Sequence, residues 1–133
     1  MVAVFITYFV MLFYFLLVDA VMIAKFIGPM FQSNLSGVMR EQFHVLAATA
    51  FYILYVFGTY WFGTLAGSRA GSVLTAFLSG AFLGILAYGT FEITGFSIFK
   101  GWTLQMVVFD MIWGAVLTGS TAAVGFYVTK YIS

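Results

Sequence analysis

The chain has 133 residues, of which 64% are hydrophobic and 7% charged, and its formal net charge is +1. An average soluble domain is roughly 25% charged, so this composition excludes a water-dispersed globule and points to a membrane. The near-neutral charge offers no electrostatic footprint for nucleic acid, and the lack of cysteine rules out disulfides, thiol catalysis and iron–sulfur ligation.

The first apolar stretch runs from about Val2 to Ala24 and ends at Lys25. Met1 to Val18 has no basic n-region, its apolar run exceeds a usual h-region, and no small-residue cleavage site follows, so it reads as a retained membrane helix rather than a signal peptide. Gly28 to Gln42 comes next. Phe31, Leu35, Val38 and Met39 recur there at helical spacing, with Gln32, Ser36 and Arg40 between them, which predicts a short segment lying along the membrane surface; an irregular loop is the alternative. The second stretch runs from about Phe43 to Ala66, the third from Val73 to Thr94 and the fourth from Leu104 to Val128, ending at Lys130. Each is near the ~20 residues that cross ~30 Å of hydrocarbon as a helix. Strands are excluded because the alternation of a barrel is absent and an open sheet cannot satisfy its backbone in lipid.

These stretches predict an all-α integral membrane bundle of four transmembrane helices, 2–24, 43–66, 73–94 and 104–128, with a short interfacial segment between helices 1 and 2, in one domain over 1–133. Gly67 to Ser72 is a tight turn, so helices 2 and 3 should be antiparallel neighbours. Lys25, Arg40 and Lys100 fall on one side of the membrane, Arg69 and Lys130 on the other; three against two leans only slightly toward termini outside.

Three acids interrupt the apolar spans: Asp19, Glu92 and Asp110. A carboxylate at the bilayer centre costs ~2.5–3.5 kcal/mol on insertion scales, which makes such residues candidates for function. Asp19 lies six residues before Lys25, Glu92 eight before Lys100 and Asp110 ten after it, so all three are roughly 9–15 Å from the same boundary at 1.5 Å per residue. Helical spacing puts Glu92 nearly in line with Gly80, Gly84 and Tyr88, and Asp110 in line with Trp113, Gly114 and Thr118. Three like charges at one depth repel unless protonated, bridged by a cation or paired with Lys. The residues therefore predict a ligand- or proton-binding pocket of Asp19, Glu92, Asp110, Tyr88 and Trp113, with His44, Lys100 and Trp102 at its rim. Gly80, Gly84 and Gly114 are expected at close helix contacts. The alternative is that the acids are interhelical hydrogen-bond glue, worth ~0.6 kcal/mol each on average.

No phosphate loop, nucleophile elbow or paired-histidine zinc spacing occurs, so the sequence assigns no catalytic residue, metal or cofactor. The series Leu17-Val18-Asp19-Ala20, Phe51-Tyr52-Ile53-Leu54-Tyr55, Ala87-Tyr88-Gly89-Thr90-Phe91-Glu92-Ile93-Thr94, Lys100-Gly101-Trp102 and Asp110-Met111-Ile112-Trp113-Gly114 resembles the short membrane proteins of domain-of-unknown-function family 2177 over nearly the whole chain. The resemblance implies acids at positions 19, 92 and 110. It differs at Glu92, where the family usually has Asp, and at Gly95, where it has Asn. It implies architecture and a pocket, with a slight lean to lipid-linked roles.

The expected function is the binding or handling of a small molecule or lipid by an integral protein of a prokaryotic inner membrane. A proton-coupled transporter acting as a dimer, a membrane enzyme of lipid metabolism and a non-catalytic subunit of a larger membrane complex are the alternatives. The expected partners are the bilayer, a second copy and the ligand, with no nucleic acid.

Overall fold

In a computed structural model, which describes residues 2–39 and 44–133, the chain forms four long helices: α1 (Val2–Leu35), α2 (Val45–Ala70), α3 (Val73–Ile98) and α4 (Leu104–Ile132). All four are long and apolar enough to cross a membrane. Arg40, Glu41 and the expected start of the second span at Phe43 lie outside the described residues.

Side chains mark the helix starts. The ring Nδ1 of His44 accepts from Ala47 N–H (3.1 Å), Ser72 Oγ from Thr75 N–H (3.1 Å) and Thr103 Oγ1 from Met106 N–H (3.2 Å). Each thereby satisfies one of the orphan donors of a first helical turn. The α2–α3 turn closes through Gly71, whose φ of 65° is left-handed and whose N–H caps the carbonyls of Gly67 and Ser68. α2 and α3 are therefore antiparallel neighbours.

The first helix differs from expectation. It does not stop at Lys25 but passes through a π-helical turn, Ile23–Ile27, and continues as an α-helix over Gly28–Leu35. The segment expected as a separate interfacial piece is thus helical, and over those residues it is the end of α1. The physical reason lies at Pro29. In a regular α-helix its ring crowds the carbonyl four residues back, and it offers no N–H. The wider turn, with Gly28 N–H bonded to Ile23 O, relieves that crowding without ending the helix. α1 then reaches the α3–α4 connection, where Gly101 (φ 84°) would place any Cβ 2.7 Å from Asn34 O. A second π turn, Tyr60–Thr64, interrupts α2. α3 runs on to Ile98 and α4 to Ile132, each about one turn past its expected end.

α4 is the hub. In its most apolar stretch 44% of residues are buried, against 22% in each of the other helices. It packs most closely on α3, through glycines. A Cβ on Gly80 would lie 2.8 Å from Thr118 O, one on Gly84 would collide with Gly114 O, and one on Gly114 would collide with the Tyr88 ring. Such close backbone approach replaces the hydrophobic drive that is absent between helices in lipid. Polar side chains add cross-links: Thr7 with Thr129 (3.2 Å), Tyr14 OH to Ser120 Oγ (2.9 Å), Tyr55 with Thr118 (2.8 Å) and Thr64 Oγ1 to Ala122 O (3.0 Å).

α2 is not parallel in its contacts along its length. After Tyr60, Gly63 and Gly67 let α3 and α4 come close, Gly67 against Ala76 and Gly63 against Ala122. Before Tyr60, α2 leans on α1, and its backbone approach to α3 is slight. The bundle is therefore shut at the Gly71 turn and parted at the end that carries the acids.

Candidate functional site

Asp19, Glu92 and Asp110 come from three helices and are all buried, at 4%, 0% and 5% exposure. None faces outward, as the cost of a carboxyl in lipid requires. Their surroundings divide them into two kinds.

Asp19 on α1 is held on both oxygens. Tyr52 OH on α2 donates to Oδ2 (2.9 Å) and Trp113 Nε1 on α4 donates to Oδ1 (3.1 Å). One carboxyl thus ties three helices together, through neutral donors. Glu92 on α3 is fully buried. Trp102 Nε1 donates to its Oε1 (2.9 Å), while Oε2 has no partner among the described residues. Trp102 is turned inward rather than placed on the rim, because Gly95 leaves a seat for the indole: a Cβ there would lie 2.5 Å from the ring. The glycine that removes a side-chain amide is what lets the tryptophan reach the acid. Asp110 on α4 stands within hydrogen-bonding reach of the Glu92 carboxyl, and no amide, indole or hydroxyl of the described residues donates to it.

Asp19 and Asp110 share a cavity of about 380 Å3. α1 contributes Asp19, Ile23, Ile27 and Phe31; α2 contributes Phe51; α3 contributes Ala87, Tyr88 and Phe91; α4 contributes Asp110. Four residues from α1 in strict steps of four would drift around a regular α-helix by about 40° per step. The π turn at Ile23–Ile27 takes up this drift and keeps them on one wall, a use of π turns that recurs at functional sites. Phe31 stacks on Phe91 (centroids 6.3 Å apart) and meets the edge of Trp102 (5.5 Å), closing that end with aromatic rings. Apart from the two carboxyls and the Tyr88 hydroxyl, the walls are apolar.

Of the other residues named from sequence, Tyr88 lines the cavity and Trp113 holds Asp19 from behind. Glu92 lies behind Asp110 rather than in the lining. His44 is exposed and caps α2, and Lys100 is exposed; neither lines the cavity. Gly80, Gly84 and Gly114 lie at the α3–α4 contact. Sequence reasoning did not place Ile23, Ile27, Phe31, Phe51 and Phe91 in the site. For Phe31 the helical spacing after Gly28 was the available signal. Among the described residues, no three His, Asp or Glu side chains come close enough together to hold a metal ion.

No curated protein and no solved structure matches the chain. The family model described as "Predicted membrane protein (DUF2177)" matches residues 4–127, nearly the whole length. With four spanning helices and that match, the chain is an integral membrane protein and belongs to the DUF2177 family.

Proposed function

We propose that the protein binds, within the membrane, an amphiphile with a cationic ammonium head, which enters the cavity and is held by Asp19 and Asp110. The observation that carries this reading is Asp110: a buried carboxyl in an otherwise apolar wall, whose one polar neighbour is the second carboxyl of Glu92. Desolvation and like-charge proximity both disfavour such an arrangement. A proton shared between the two carboxyls removes the repulsion of that pair; a cation in the cavity offsets it too, and also the burial of the charge that remains.

The other walls fit the same head. Phe31, Phe51, Tyr88 and Phe91 present aromatic rings, and ring faces attract ammonium groups by ~0.5–2 kcal/mol, most strongly when desolvated. An anionic head would meet two acids and no basic side chain in the lining.

The test is a mass-spectrometric inventory of lipids and small molecules that copurify with wild type and with Asp110→Asn. The expected result is an amine-bearing amphiphile enriched over the bulk membrane extract and lost from the variant. Identical inventories in the two proteins would overturn the reading.

A further inference from the structure

Beside the acidic cavity lies a second hollow of about 630 Å3, lined by Phe51, Leu54, Gly58, Trp61, Phe62 and Leu83 among others. It exists because α2 parts from α3 before Tyr60. Phe51 lines both hollows, so the apolar groove adjoins the cavity that holds Asp19 and Asp110 at that ring. We infer that this groove seats the alkyl chain of the ligand, which enters sideways from the bilayer between α2 and α3. This rests on the proposed cationic head at the acids and adds a single extended chain as the ligand's second part.

Length supports a chain as the occupant. From Phe51 to Phe62 the groove follows α2 for about 16 Å at 1.5 Å per residue. That is close to half of the ~30 Å hydrocarbon core, the reach of one acyl chain. Depth comes from Gly58: a Cβ built there meets nothing within 4 Å, so the missing side chain is not needed for packing between helices. Every other glycine within α2 lies against a neighbouring helix. Exposure does not distinguish this groove from the outer faces, since Leu54, Trp61 and Phe62 are 71%, 54% and 61% exposed and Phe5, Phe9 and Phe13 of α1 are 60%, 60% and 70%; what distinguishes it is the acidic cavity that adjoins it at Phe51.

The experiment uses a long-chain alkylammonium with a diazirine near the chain end, photolysed with the protein in a phosphatidylcholine bilayer, and mass spectrometry to map the adducts. Adducts should concentrate on Leu54, Trp61, Phe62 and Leu83 relative to Phe5, Phe9 and Phe13. Gly58→Leu fills the groove without meeting another helix and should cut groove adducts about tenfold, the equivalent of ~1.4 kcal/mol, with α1 adducts unchanged. Even labelling of all exposed positions, or groove labelling unchanged in Gly58→Leu, would overturn the inference. Groove positions labelled less than α1 would mean that a second protein copy covers them, which also overturns it. Should Gly58→Leu not assemble, butylammonium with the same photoreactive group serves instead: it should label near Phe51 and not at Trp61, and labelling at Trp61 would contradict the chain's placement. Asp110→Asn separates the two proposals. Loss of groove labelling there supports both. Labelling that persists in Asp110→Asn yet is blocked by Gly58→Leu keeps the groove and overturns the head's place at the acids.

Discussion

Trp113 on α4 donates its indole N–H to Asp19 Oδ1 on α1 over 3.1 Å, joining residues 94 apart in the chain. The same carboxyl accepts from Tyr52 on α2, so the floor of the cavity is also a clamp on the bundle. The acid is satisfied on both oxygens by neutral donors, whereas the polar neighbour of Asp110 is the Glu92 carboxyl. Under the proposed reading, that difference gives Asp19 a structural share beside binding and makes Asp110 the residue by which binding is probed.

The clamp sets a coupling energy. Asp19→Ala strands two part-buried donors, each costing up to ~1–3 kcal/mol, and should lower the melting temperature in detergent more than Trp113→Phe does. A double-mutant cycle of Asp19→Ala with Trp113→Phe should return a coupling of about 0.6–1.7 kcal/mol, the range of interhelical hydrogen bonds in membranes. Independent effects of the two substitutions would show that the bond is not made.

Glu92 gives a sharper sign. Its Oε2 is buried without a partner and the Asp110 carboxyl is alongside. Glu92→Gln keeps an acceptor for Trp102 and turns a donor toward Asp110, so the variant should melt at or above the wild-type temperature. Glu92→Ala leaves the Trp102 N–H unpaired and a cavity behind it, and should melt lower by an amount set by roughly 2–3 kcal/mol. A Gln variant as unstable as the Ala variant would contradict the arrangement.

The glycines differ by neighbour. Gly84→Leu drives a side chain into Gly114 O and Thr118 and should abolish assembly of the bundle. Gly58→Ala meets nothing and should be neutral or stabilise by up to about 1 kcal/mol, since alanine is the better helix former. Thermal melting of the two variants in one detergent checks both; equal melting temperatures would refute the packing described.

Much of this was legible in the sequence. Asp19, Glu92 and Asp110 stand out because a carboxyl in a long apolar run is costly, and their shared depth follows from the rise of a helix. The four spans follow from length and apolar content alone. Other features were hidden for physical reasons. Lys25, Gly28 and Pro29 all signal a helix end, and nothing local announces that a π turn carries α1 past them to bring Phe31 over the cavity. Trp102 looks like an interfacial aromatic; its inward turn depends on the space above Gly95, seven residues back on α3. The parting of α2 from α3 is an angle between helices, and periodicity reports a face without an angle.

In the proposed reading the acids bind a cationic head. Native mass spectrometry of the protein, loaded with a long-chain alkylammonium or with the fatty carboxylate of equal length, tests it most directly, with wild type and Asp110→Asn measured side by side. Wild type should retain the ammonium at least about tenfold better than the carboxylate, a difference of ~1.4 kcal/mol, and Asp110→Asn should lose this preference while still folding. Equal retention of the two amphiphiles by wild type, or a preference that survives in Asp110→Asn, would contradict it.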